Sequence, residues 1–305
     1  MSDNFYYGGQ AVIEGVMMRG KDGLATAVRK PSGDVVIKRD PISSIATRYP
    51  ILKKPLIRGV VSLVESLVVG MRALSFSASQ FSEEEEEQIG TKEIIFSMVL
   101  AFGLTVLLFV VAPAFVIRQV QHYISSNVLL NLVEGLIKIS FFLLYVLAIS
   151  FMNDIRRVFE YHGAEHKTIN AYEAGEELTV ENVKKYTRFH KRCGTSFLVI
   201  VLIVNTVVFS FFGRPPFLLR VLYHLLLMPV VAGISYEVIR RAGRPNAPWL
   251  IRVLSYPGIW TQYITTREPD GSQIEVAIQS LQSVLPSAEH MVQTNMAEAE
   301  GVAVP

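Results

Sequence analysis

Four apolar stretches, at about residues 94–117, 128–152, 195–212 and 217–239, are each long enough to cross a bilayer as a helix. No other feature limits the fold so strongly, because a chain in lipid must satisfy its backbone polar groups internally. Of 305 residues, 50% are hydrophobic and only 18% charged, too apolar a balance for an ordinary soluble domain. The formal charge of +2 hides strong segregation along the chain and says little about partners. The opening MSDNFYYGGQ lacks the basic-then-apolar pattern of a cleaved signal, so membrane insertion is expected from internal segments. A single cysteine, Cys193, excludes an intramolecular disulfide framework and suits a reducing compartment.

A fifth apolar stretch, 56–76, carries Arg58, Glu65 and Arg72 at intervals of seven. That narrow charged stripe reads as a helix lying at the membrane interface rather than as a span. The basic residues give an independent check. The first 55 residues hold nine Lys/Arg and the 153–194 connection holds eight, against one each at 118–127 and 213–216. Positive charge favours the cytoplasmic side, so four spans with both termini inside satisfy this distribution and five do not. Glu134 and Lys138, one turn apart in the second span, read most simply as an ion pair snorkelling to the interface. Asn205 and His224 read as hydrogen-bonding groups between helices.

The expected fold is mainly α, a polytopic membrane protein with four transmembrane helices and one interfacial helix. A small N-terminal cytoplasmic β unit and a helical-hairpin metal-site insert complete it. In sequence order these are the β-rich unit (1–55), the interfacial helix and an acidic linker (56–93), and the first two spans (94–152). The insert (153–194), the last two spans (195–239), a cytoplasmic interfacial segment with a helix (240–285) and a disordered tail (286–305) follow. In the β unit, 10–18, 24–30 and 34–39 read as strands, with Pro31-Ser32-Gly33-Asp34 as a turn. Val12, Glu14 and Val16 would then share one face. A carboxylate among valines is unusual, which makes Glu14 an auxiliary candidate for a nearby metal; the plainer reading is an edge-strand charge.

The insert carries the chemistry. If 153–174 is helical, His162 and His166 lie one turn apart on one face, and two imidazoles so placed can grip one metal ion. Glu165, beside the second of them, is positioned to take a proton from a water on that ion. The order H-x-x-E-H is that of inverzincin metallopeptidases. Downstream, His190-x-x-Cys193 offers a second nitrogen and sulfur pair at chelating separation. A break at Gly175 and a second helix over 180–189, capped by Thr179, would fold the two motifs together. Arg156, Arg157, Lys167, Lys184 and Lys185 surround them with positive charge suited to an anionic lipid or a phosphate-containing substrate, or simply to anchoring at the membrane.

Several long stretches resemble the bacterial YqhQ-like family: GGQAVIEGVMMRG (8–20), PLIRGVVSLVESLVVGMRALSFSA (55–78), YHGAEHKTINAYEAGEELTVENV (161–183), RFHKRCGTSF (188–197) and ITTREPDGSQIEVAIQSL (264–281). Its members are multi-pass membrane proteins of unknown function grouped as predicted metal-dependent enzymes. The resemblance implies a bacterial inner-membrane location and a metal centre at His162, Glu165, His166, His190 and Cys193, but no substrate. The leading expectation is a membrane-associated, zinc-dependent hydrolase in which Glu165 is the base. The alternative is a structural zinc site closed by three His and one Cys in a scaffold or assembly factor, and a transporter comes third. The basic residues border spans and form no aromatic-interleaved patch, which argues against a nucleic-acid partner.

Overall fold

The computed structural model describes residues 7–21, 23–42, 44–81, 91–213, 215–242 and 246–286. The acidic run 83–87 and nearly all of the expected tail lie outside the described residues. The chain begins with four short strands, β1 (Gly8–Val12), β2 (Gly15–Arg19), β3 (Gly23–Arg29) and β4 (Val35–Pro41), joined in sequence order into one antiparallel meander. The stretch read as one strand, 10–18, is instead a hairpin folded at Ile13–Glu14, with Val12 paired to Gly15. The fold-back needs a left-handed residue, and Glu14 adopts φ +48 there. The usual turn residues, Gly and Asn, are absent from this position.

Both faces of the sheet are covered, which is why its strands read as nearly continuous apolar runs. A one-turn helix, α1 (Ile45–Arg48), leads from the sheet towards α2 (Ile57–Ser79). Val12, Met17 and Val28 face Val69, Ala73, Leu74 and Phe76 of α2. On the other face, Val16, Met18 and Ala27 join a core built with α6 (Asn153–Glu173), α7 (Val180–Lys184) and α11 (Gly271–Gln282). Tyr161, Ala164 and Ile169 of α6 and Ile274, Ala277, Ile278 and Leu281 of α11 are its largest contributors. The insert therefore has a substantial core, shared with segments from both ends of the chain. Asp270 caps α11 in a full capping box with Gln273. Thr179 caps α7 as expected, but that helix is a single turn and a half rather than the whole of 180–189.

The remaining helices form an apolar bundle. α3 (Thr91–Val106) passes through a π-helical turn (Leu107–Val111) into α4 (Ala112–Val120). The wide turn sits just ahead of Pro113, whose ring and missing N–H disrupt a regular α ladder. Then come α5 (Asn127–Ile149), α8 (Gly194–Phe209), α9 (Phe217–Ala242) and α10 (Trp249–Thr265).

Among the described residues, four helices are long and apolar enough to cross a membrane: α2, the run Ile95–Tyr123, α5 and α9. This set differs from the expected one at two places. The 16 residues of α8 rise only about 24 Å, short of the roughly 30 Å hydrocarbon core. Conversely α2 passes on length, yet its second half is packed on the sheet and Ser77 Oγ accepts the Ile13 N–H at 3.3 Å. Its first turn docks on the end of α9, where Arg58 grips Glu237 with two 2.6 Å hydrogen bonds. Such packing keeps α2 beside the sheet, in line with the interfacial reading.

Glu134 and Lys138 do not snorkel: each is 3% exposed, inside the bundle. Glu134 pairs with Lys138 at 2.9 Å and Arg220 at 3.1 Å, and lies 3.2 Å from His224. Lys138 donates to Asn205 across to α8 at 3.0 Å. Arg220, one turn before His224 on α9, supplies the second cation, and its position at the start of an apolar span gave no hint of that pairing.

Candidate metal centre

α6 is the central helix of the extramembrane unit, and every residue from Gly163 to Ile169 is buried. Such a helix buries Glu165, His166 and Lys167 only if each finds partners. His166 donates from Nδ1 to the carbonyl of Arg188 at 2.7 Å, and His162 donates from Nδ1 to the carbonyl of Thr265 at 2.8 Å. A carbonyl can only accept, so both rings carry the proton on Nδ1 and present Nε2. His162 Nε2 lies 3.2 Å from Cys193 Sγ, and the two imidazole centroids are 4.3 Å apart. One ligand atom each from His162, His166 and Cys193 lie within 4.8 Å of one another.

Cys193 is brought in from the far side by a turn at the start of α8, for which it is the N-cap residue. Its sulfur is 3.1 Å from the Thr195 hydroxyl. The turn is pinned by two side-chain amides, one of them fully buried. Gln262 accepts the His190 N–H at 2.8 Å and donates to the His190 carbonyl at 2.7 Å. Asn170 donates to the carbonyls of Thr187 and Phe189. The segment 265–269 crosses α6 closely enough that a Cβ at Gly163 would collide with the carbonyl of Arg267. That contact requires glycine inside the motif.

His190 stands apart from the three-atom group. Its ring centroid is 5.4 Å from that of His166, and its Nε2 is buried with no hydrogen-bond partner among the described residues. Glu165 is 5% exposed and lies against Gly9 of β1, where a Cβ would sit 3.1 Å from its carboxyl carbon. Glu14, the auxiliary candidate, faces elsewhere: it is held by Arg157 and accepts the Tyr161 hydroxyl at 3.2 Å. Its carboxylate steadies the strained hairpin against α6.

The charges of these groups are strongly coupled. Burial pushes the His162 imidazole down, but the charge and hydrogen bond of Cys193 outweigh it and raise the pKa to about 9. Burial acts on Cys193 in the opposite sense, and the two histidines hold it well below the ordinary thiol range. The helix N-terminus adds to that effect. Burial raises Glu165, against the pull of His166 and His162 and a hydrogen bond from the Gly9 backbone. His190 is depressed to about 2, by burial first and then by the charge of His166.

The basic surround is largely committed to partners. Arg157 binds Glu14, Lys167 binds Glu268 and the Lys184 carbonyl, Arg156 lies 3.5 Å from Glu160, and Lys185 donates to Asn182. The residues missed in the sequence are those that position the site, namely Gly9, Asn170, Thr195, Gln262 and the Thr265 and Arg188 carbonyls. Half of them act through their backbone and leave no mark of residue type.

The family model described as "Protein of unknown function (DUF1385)" matches residues 54–287. The chain is also 36% identical over 292 residues, 92% of each chain, to "Uncharacterized protein YqhQ" of Bacillus subtilis (strain 168). No solved structure matches. With most of its length under the family model and so long a relative beside it, this chain belongs to the DUF1385 family.

Proposed function

We propose that the protein is a membrane-associated, metal-dependent enzyme of hydrolytic type, with His162, His166 and Cys193 holding one divalent ion and Glu165 as general base. One observation carries the reading: three donor atoms of metal-binding type lie within 4.8 Å of one another, two of them on buried residues and the third on a half-buried one. The donor set fits the group. Two nitrogens and a thiolate are borderline-soft ligands suited to zinc, and each imidazole is turned by a carbonyl so that Nε2 faces its neighbours. Three protein ligands leave one position open, which distinguishes catalytic from structural zinc sites. A zinc ion there supplies Lewis-acid chemistry and ionises a water near neutral pH.

The chain's own residues do the rest. Glu165 is buried beside the ligands and burial pushes its carboxyl group upward, which makes it a stronger base, suited to taking a proton and returning it to a leaving group. The Gly9 N–H holds that carboxylate in place. His162 and Cys193 share a proton that metal uptake would release.

A structural site is the second reading, favoured by the orphaned His190 Nε2. Metal analysis of detergent-purified protein separates the two. Near-stoichiometric zinc that is lost in His166→Ala and kept in His190→Ala supports the three-ligand centre. Zinc lost in both supports closure by His190, and zinc absent from the wild type overturns both.

We further assign the site to the cytoplasmic face of a bacterial inner membrane, with both termini inside. The basic-residue distribution supports this orientation. Single cysteines at Ser125 and Glu177 on a Cys193→Ser background should label from opposite sides, with only the Ser125 position reached from outside.

A further inference from the structure

A cavity of about 560 Å³ opens where the bundle meets the extramembrane unit, and Cys193 forms part of its wall. This is an ordinary volume for a small-molecule site. It lies between the first half of α2, the start of α8 and the end of α9. Phe197, Leu198 and Ile239 give it an apolar flank, Ser62 and Ser66 supply hydroxyls, and Arg192 and Arg240 bring positive charge. We propose that this groove seats a membrane phospholipid with an anionic headgroup, its polar end beside the metal centre and its chains along α8. The inference rests on the hydrolytic reading of that centre, for which it supplies the substrate class.

Three observations favour a lipid. The groove is open to the side, and Leu198 in its wall is an exposed apolar residue. A soluble substrate gains nothing from that flank, whereas an acyl chain buries itself on it. Next, polarity is graded: serines and arginines share the groove with aliphatic and aromatic side chains, matching an amphiphile. Finally, the two arginines suit a phosphodiester, since guanidinium groups bind phosphate oxygens in a fork. Arg192 is also paired to Glu173 at the rim, which orients it there.

The test uses full-length protein, delipidated in detergent and examined by native mass spectrometry. The added probes are dioleoylphosphatidylglycerol, dioleoylphosphatidylcholine or inorganic phosphate. One tightly held phosphatidylglycerol is expected, with phosphatidylcholine retained about tenfold less, because its choline cation is repelled by the two arginines. Ser66→Trp, which fills the groove from an exposed position, should abolish retention, and Arg240→Gln should weaken it about tenfold. Leu136→Trp, on the exposed side of α5, should leave it unchanged. Equal retention of the two lipids, retention insensitive to Ser66→Trp and Arg240→Gln, or competition by phosphate alone overturns the proposal. Zinc is measured on the same samples. Selective lipid without zinc supports the groove while removing the metal enzyme; zinc without lipid selectivity removes the groove alone.

Discussion

Gly8 and Gly9 are adjacent in β1, yet the structure gives them opposite tolerances. A Cβ at Gly8 would meet nothing within 4 Å. At Gly9 it would lie 2.6 Å from the Met17 carbonyl oxygen, 3.0 Å from Met18 Sδ and 3.1 Å from the Glu165 carboxyl carbon. The first contact is backbone of the paired strand, so the hairpin must open, and the third pushes Glu165 off its Gly9 hydrogen bond. Overpacking of this kind costs about 1–3 kcal/mol, and each kcal/mol lowers the melting temperature of a 305-residue chain by about 1.5 °C. Gly9→Ala should therefore melt about 1.5–5 °C below wild type. Gly8→Ala should stay within about 0.5 kcal/mol of it, or gain slightly from a less flexible unfolded chain. The assay is thermal unfolding of the two variants in the same detergent, with zinc content as a second readout. Equal melting temperatures would show that β1 does not press on Glu165, and the account of how that residue is positioned would fail.

Glu165→Gln keeps the shape of the side chain but removes the proton acceptor. It should retain zinc and lose about 10²–10⁴ in rate, scored first as failure to complement a deletion strain, and full complementation at full occupancy would falsify the general-base role. In chelator-treated protein, Cys193 should alkylate at a rate nearly flat from pH 7 to 9, because its pKa lies well below the ordinary thiol range. A rate climbing tenfold per pH unit would contradict the His162–Cys193 pair. Glu134→Gln leaves Lys138 and Arg220 without their carboxylate inside the bundle, and should cost about 3–5 kcal/mol, read as a lowered unfolding midpoint in detergent. A neutral outcome would mean the cluster is wetter than its burial implies.

Three of the four expected spans, the H-x-x-E-H helix, the Gly175 break and the Thr179 cap were legible because each rests on local chemistry: apolar length, one-turn spacing, a left-handed glycine (φ +78) and a hydroxyl accepting the Asn182 N–H. The hairpin at Glu14 was hidden because a glutamate occupies a left-handed position, and only the distant Arg157 and Tyr161 explain how it is held. His190 was grouped with Cys193 on spacing alone; Gln262 clamps its backbone, and its ring centroid lies 5.4 Å from that of His166, outside the three-atom group. The charged stripe on α2 pointed to an interfacial helix, but not to what that helix packs against. Nothing local in 57–79 announces that its second half will be covered by Val12, Met17 and Val28. The buried cluster around Glu134 needed Arg220 from another helix before its charges could be balanced. In each case the missing information was a long-range contact, to which residue periodicity is blind.

The central claim is that His162, His166 and Cys193 share one ion, and zinc-edge X-ray absorption on the purified protein tests it most directly. The account predicts one sulfur at ~2.3 Å and nitrogen or oxygen ligands at ~2.0–2.1 Å, with the sulfur shell lost in Cys193→Ser. A first shell of nitrogen and oxygen alone in the wild type, or one unchanged by that substitution, would contradict it.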